Sequence, residues 1–178
     1  ASKFYKMYNK KINNLIIVRT PMGGKRGYGP THSQNLEKHF LGIPNTNVIA
    51  INFRYSPEIL YNTIIKNISL PTLIIEDKLD YSKKNSFFES KKHNFTYLVN
   101  NLKIPDIKLC VPQKTADISI VCWGGTLSNI EILVEELLEN EEILCEVTVI
   151  QQLYPLNAEA IIESVKKTKK IVVIDDSG

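Results

Sequence analysis

No apolar run in the 178 residues approaches the roughly 20 needed to span a bilayer. The longest, in "NNLIIVRT" and "LPTLIIED", are strand-sized and bounded by polar residues. A membrane-spanning helix is therefore excluded from the expectations. The start shows neither an initiator Met nor a signal-peptide pattern, so a processed chain or a piece of a longer one is expected. Cysteine is scarce: Cys110, Cys122 and Cys145 form no CxxC pair and no pattern with histidine. An odd count argues against a disulfide scaffold and for a reducing compartment, the cytoplasm or, in a eukaryote, a mitochondrion or plastid. Each thiol is expected as a small buried hydrophobe. His32, His39 and His93 show no metal-ligand spacing, so no metal site is expected. An excess of one charge is lacking too, with 22 Lys and Arg against 19 Asp and Glu. Pairs such as Lys83-Lys84, Lys91-Lys92 and Lys166-Lys167 are scattered rather than striped, which argues against nucleic-acid binding.

What is present is ordinary for a globular protein: 43% apolar and 23% charged residues, in a chain long enough for one domain or two small ones. "NLIIVRT" (14–20) reads as a buried strand stopped by Pro21 and Gly23-Gly24. "SQNLEKHFLG" reads as a short helix with Leu36 and Phe40 on one face and Gly42 as its stop. "TNVIAINF" is a second strand, and Ser56 before Pro57 starts a helix with Ile59, Leu60, Thr63 and Ile64 facing inward. "PTLIIED" is a third strand. Residues 82–115 turn rich in Lys, Asn and Ser and read as a connector, packed in places by Phe87, Phe88 and Tyr97. The last third is more regular. The strands "DISIVCW", "CEVTVI" and "KIVVID" alternate with a helix carrying Leu127, Ile130, Leu133, Val134, Leu137 and Leu138, and with another capped by Asn157 and carrying Ala160, Ile161 and Val165. Ser128 and Glu131 have capping-box spacing. The β-α-β-α-β order predicts a parallel sheet with right-handed crossovers.

Few features could carry chemistry. "CWGGTLSN" places Gly-Gly at a helix start, but it lacks GxGxxG and the P-loop lysine, and reads as a tight turn. Asp175-Asp176 follows a parallel strand, where sites tend to lie, or is simply solvated. The loop "TPMGGKRGYGPTHSQ" stands apart, with four glycines and two prolines building a fixed, non-repetitive backbone between a strand and a helix. His32 would lie at or before that helix start, where the dipole favours neutral imidazole, able to take a proton or donate to an oxyanion. A working group and a capping or packing role both remain open for it.

Beyond these local readings, "RTPMGGKRGYGPTHSQNLEKHFLGIPNTNVIA" resembles the stretch around the HSQ signature in the β subunit of thiamine-diphosphate-dependent 2-oxo acid dehydrogenases. These are the E1 components of the pyruvate and branched-chain complexes, in the transketolase-like superfamily. "PTLIIED" is similar to the strand closing that family's pyrimidine-binding domain, and "ADISIVCWGG" with "CEVTVIQQLYPLNAEAIIESVKKTKKIVVIDDSG" to its transketolase-type C-terminal domain. The implied fold is α/β: the C-terminal part of a pyrimidine-binding domain over 1–81, a linker over 82–115, and a truncated parallel β-α-β domain over 116–178. The implied function is oxidative decarboxylation of a 2-oxo acid on thiamine diphosphate and Mg²⁺, with acyl transfer to a lipoyl group. His32 matches the HSQ histidine as the catalytic group, with Ser33, Gln34 and Glu37 as its supports. The implied partners are an E1 α subunit or fused α segment, the lipoyl domain of an acyltransferase core, and a second copy through the C-terminal domain.

Departures limit that resemblance. The family's catalytic glutamate would lie upstream of Ala1, no GDG-type diphosphate motif is found, and the fragment alone is expected to be inactive and to bind no cofactor. The family's structural cation motif aligns with Ile68 and Leu70 and is not carried over, and Gln151 stands where the family has Arg. Two rivals remain. One is a transketolase- or deoxyxylulose-phosphate-synthase-like enzyme, for which Lys25, Arg26 and Arg54 would be the sugar-phosphate contacts. The other is a non-catalytic assembly or regulatory fragment of the same fold.

Overall fold

The computed structural model describes residues 3, 7–8, 15–24, 27, 29–84 and 93–175. The β-branched runs form strands and the amphipathic runs form helices, in two sheets that meet at their strand ends. In the first sheet β1 (Ile17–Met22), β3 (Thr72–Asp77) and β2 (Asn47–Ala50) are parallel, with β3 central. Helix α1 (Pro57–Asn67) connects β2 to β3 and buries Leu60 and Ile64 against Ile49 and Ile74. Ser56 caps it, accepting from the Ile59 amide at 3.4 Å, with Pro57 in the first turn as expected. Ile59, expected to face inward, is exposed. Strand β1 runs through Pro21 rather than stopping before it. It lies at the sheet edge, where a residue without an N–H removes no ladder bond from the open side.

The second sheet has the order β4-β5-β7-β6-β9: β4 (Thr96–Val99), β5 (Ile107–Cys110), β7 (Cys145–Ile150), β6 (Ile118–Trp123) and β9 (Ile171–Val173). The three strands read from the sequence, β6, β7 and β9, are mutually parallel as expected. The sheet as a whole is mixed, because β5 pairs antiparallel with β7, and β4 with β5. Two strands therefore lie inside 82–115, the stretch expected as a connector. Thr96 and Lys108 alternate there with buried Phe95, Tyr97, Ile107 and Leu109, which complete the core beneath the sheet. Phe87 and Phe88 lie outside the described residues.

Helix α2 (Leu127–Glu141) buries Leu127, Ile130 and Val134 on the second sheet. The expected capping box does not form. Thr126 is the N-cap without a side-chain bond, Ser128 Oγ donates to the Gly125 carbonyl, and Glu131 is drawn to other partners. Helix α3 (Glu159–Thr168) begins beside Asn157, whose side chain accepts from the Glu159 amide at 2.9 Å. It seats its buried Ser164 and Thr168 on Ser119 of β6 through 2.6 and 2.7 Å hydroxyl contacts. Ala160, Ile161 and Val165 are half-buried. All three cysteines are buried and free; burial pushes Cys122 up to about 12 and Cys145 up to about 11. Among the described residues no helix is long and apolar enough to cross a membrane.

Directly after β7 the chain crosses to the first sheet, where β8 (Gln152–Tyr154) pairs antiparallel with β2. The crossing is held by Gln151, fully buried, whose side-chain amide donates to the Pro105 carbonyl while its backbone N–H donates to Asp106 Oδ1 at 3.1 Å. A residue with no charge fits this enclosed position, where the resemblance led to an expected Arg.

Candidate functional site

The C-terminal ends of β1, β3 and β6 converge where the two sheets meet, which is where ligand sites collect in open α/β sheets. Gly23 follows β1 with φ +98°, a left-handed conformation open to glycine, and Gly124-Gly125 follow β6. Asp77, the last residue of β3, is wedged between them. A Cβ on Gly23 would stand 2.7 Å from Asp77 Oδ2, and one on Gly125 only 2.1 Å from it. The two glycines are thus needed for close approach. The Gly124–Thr126 segment is a 3₁₀ turn leading into α2, as the tight-turn reading of "CWGGTLSN" has it.

The loop bearing His32 leaves from this junction, and side chains from three strand ends hold it. Asn35, buried, accepts from the Gly23 amide at 2.8 Å, and the Leu36 amide reaches Met22 Sδ at 3.1 Å. Lys78, just past β3, donates through Nζ to the His32 carbonyl at 3.0 Å. Trp123, ending β6, donates to Glu37 Oε1 at 3.4 Å. The expected helix over this segment does not form. Residues Pro30–His32 and Glu37–His39 are separate 3₁₀ turns, because the loop's polar groups are met by these side chains instead of by successive helical carbonyls. His32 therefore closes a three-residue turn, and the helix dipole expected to act on it is not there.

Of the sequence-derived site residues, His32 and Gln34 are exposed, Ser33 is half-buried, and Glu37 is buried. The structure brings Glu37 onto Trp123 of the second sheet. Lys25 and Arg26 lie outside the described residues, as does Asp176; Arg54 is committed to an ion pair with Glu131 at 2.6 and 2.8 Å.

Sequence reasoning missed two charged clusters flanking the junction. Glu76, one residue before Asp77, accepts from Arg19 at 2.9 and 2.8 Å, from the Tyr61 hydroxyl at 2.7 Å and from the Tyr81 hydroxyl at 2.9 Å. Burial raises its pKa, but Arg19 and the two tyrosines more than offset this and leave it below the ordinary value. With both oxygens engaged, Glu76 is a structural clamp rather than an acid or base. Across the junction Glu131 of α2 takes Arg54 from the β2–α1 loop and the Tyr97 hydroxyl of β4 at 2.5 Å. Burial and the Glu131 charge raise the Tyr97 pKa. The one signal for these clusters was position: Glu76-Asp77 end a buried strand, and Arg54 follows another. Among the described residues no group of three His, Cys, Asp or Glu is placed to hold a metal ion.

Residues 108–178 match the family described as "Transketolase, C-terminal domain". Over 176 residues the chain is 28% identical to the pyruvate dehydrogenase E1 component subunit beta, mitochondrial, of Dictyostelium discoideum, covering 99% of this chain and 47% of that protein. Residues 108–178 therefore form a transketolase C-terminal-type domain, in a chain similar along its length to pyruvate dehydrogenase E1 β subunits. The corresponding subunit of Rickettsia bellii is 27% identical, with 99% of this chain and 50% of that protein covered. The chain thus spans about half the length of the curated relatives it matches. Among solved structures its fold is similar to a Pichia stipitis transketolase mutant, H261F, with TM-score 0.60, 17% identity and coverage of 91% of this chain and 23% of that one. It is also similar to a "Split gene transketolase, inactive beta4 tetramer", with TM-score 0.56, 17% identity and coverage of 88% and 46%. The transketolase-like α/β fold is the one the sequence resemblance implied.

Proposed function

We propose that this chain is a β-type part of a 2-oxo acid dehydrogenase E1, acting in the thiamine-diphosphate-dependent oxidative decarboxylation of a 2-oxo acid and transfer of the acyl group to lipoyl. The observation that carries this is the end-to-end similarity to pyruvate dehydrogenase E1 β subunits, across 99% of the chain and through the His32 loop. The transketolase neighbours, at 14–18% identity, bear on the fold alone. Residues 1–81 are read as part of a pyrimidine-binding domain and the last third as the C-terminal domain, with β4 and β5 lending strands to the latter.

In this reading His32 is the catalytic residue, exposed on the loop at the strand-end junction. Its imidazole donates to the 2-oxo oxygen, by hydrogen bond or proton transfer, as negative charge develops there. Ser33, Gln34 and Glu37 keep the loop's shape, Glu37 through its Trp123 contact. The described residues do not fit a whole thiamine diphosphate–Mg²⁺ site, since no three His, Cys, Asp or Glu among them are placed to hold a metal ion. The diphosphate and metal ligands are assigned to an α subunit or fused α segment, the acyl acceptor to a lipoyl domain, and a second copy is expected to pack on the C-terminal domain. The test is reconstitution of the full-length protein with its α partner, thiamine diphosphate, Mg²⁺ and pyruvate or a branched-chain 2-oxo acid. CO₂ release that depends on both chains supports the reading; release of none from any of these acids overturns it.

A further inference from the structure

A second recess lies beside the junction, on the α1 side of the β2 and β3 ends. It is a cleft of about 350 Å³ lined by Ile51, Phe53, Pro57 and the Tyr61 and Tyr81 rings, with charged groups at intervals. That volume is at the small end for an organic ligand site, and the apolar walls suit a side chain better than a cluster of waters. Two lining residues carry buried polar atoms that meet no protein group among the described residues: Asn52 Nδ2 and Asp80 Oδ2. Their chemistry is fixed by what their other atoms do. Asn52, fully buried, accepts through Oδ1 from the Arg54 and Tyr55 amides at 3.0 and 3.1 Å, so the orphaned atom is a donor. Asp80 Oδ1 takes the Lys83 ammonium at 2.7 Å, which leaves Oδ2 as an unmet acceptor. Burying such atoms without partners is costly, so an occupant supplying one acceptor and one donor is favoured.

The charges narrow that occupant. Glu76 is matched by Arg19 and Asp80 by Lys83, with Asp77 left over. A lone anion would meet this net negative lining, and a lone cation would leave Asn52 Nδ2 unmet. A molecule carrying both signs answers both. Arg19 uses Nε and Nη2 on Glu76 and keeps further N–H donors on a side chain 61% exposed.

We propose that this cleft binds a free α-amino acid with an apolar side chain. Its carboxylate accepts from Asn52 Nδ2 and Arg19, its ammonium donates to Asp80 Oδ2, and its side chain lies against Phe53, Pro57 and Tyr61. The proposal does not depend on the catalytic reading above. The experiment is calorimetric titration of the full-length protein, without cofactor, using leucine as the probe. The comparison ligands are 4-methyl-2-oxopentanoate, which lacks the ammonium, and isopentylamine, which lacks the carboxylate. Leucine is expected to saturate while neither comparison ligand does, and Asp80→Asn, isosteric and in a surface turn, is expected to weaken leucine by about tenfold or more. Because a folded Asp80→Asn protein is needed, its circular dichroism is checked, and Phe53→Ala serves as a second variant, expected to weaken leucine by about tenfold through loss of an apolar wall of the cleft; unchanged affinity in it also overturns the proposal. Failure of leucine to saturate, equal binding of either comparison ligand, or unchanged affinity in folded Asp80→Asn overturns the proposal.

Discussion

Asp77 is the residue on which the meeting of the two sheets turns. Its carboxylate occupies the space that a side chain on Gly23 or Gly125 would need, and its Oδ1 accepts from the Leu79 amide at 2.6 Å. Gly125→Ala should therefore overpack the junction and cost about 1–3 kcal/mol in thermal or denaturant unfolding. Adding Asp77→Ala to that variant should recover part of the loss, because it removes the closest clashes, with Oδ2 and Cγ, and leaves only the Cβ at 2.7 Å; no recovery would place the strain elsewhere. The sequence made the glycines visible as turn formers but not as close-approach sites, since the opposing residue lies 48 positions away, at 77 against 125. His32 was legible as a loop histidine, and its helix-start placement was not correct. Two 3₁₀ turns replace the helix because Asn35 of the loop bonds back to Gly23 while Lys78 and Trp123 reach the loop from distant strand ends, which periodicity alone does not reveal.

Among the elements, those built around buried β-branched runs were read in the right order, and α1 through α3 appeared where their caps or apolar faces placed them. Strands β4 and β5 were missed because each is short and carries exposed or charged positions, Leu98 and Lys108 among them, within a Lys- and Asn-rich stretch. β5 becomes a strand through pairing with β7, a partner found only in three dimensions, and β4 through pairing with β5. The elements are cross-braced by the Arg54–Glu131 pair, whose side chains are only 11% and 8% exposed. Glu131→Gln takes the Glu131 charge away from the largely buried Arg54 guanidinium, which should cost about 3–5 kcal/mol. Denaturant unfolding of this variant measures it; a loss below about 1 kcal/mol, as at an exposed pair, would show that the brace carries no weight.

On the scale of the whole molecule, stability in acid should report the Glu76 clamp. A carboxylate whose folded pKa is depressed contributes stability that is full above its unfolded pKa, about 4.3, and is lost as pH falls through the folded value. Glu76 is such a group, held down by Arg19, Tyr61 and Tyr81 against its own burial. Glu76→Gln should lower stability at neutral pH and flatten its fall below about pH 4.3; an unchanged acid limb would remove Glu76 as its source. Asp80 and Asp106 have the opposite sign, since burial raises both, and they lose stabilising effect as pH rises through the acid range.

In the proposed function, the junction of strand ends presents His32 to a 2-oxo acid. The most direct measurement is kcat/KM for pyruvate decarboxylation by the full-length protein with its α partner, wild type against His32→Ala, with unfolding followed in parallel. A fall of about 10²–10⁴ in kcat/KM with little change in stability is expected, as for loss of a proton-transfer group. Equal rates in the two proteins would contradict it and leave His32 as a surface residue of a loop held for other reasons.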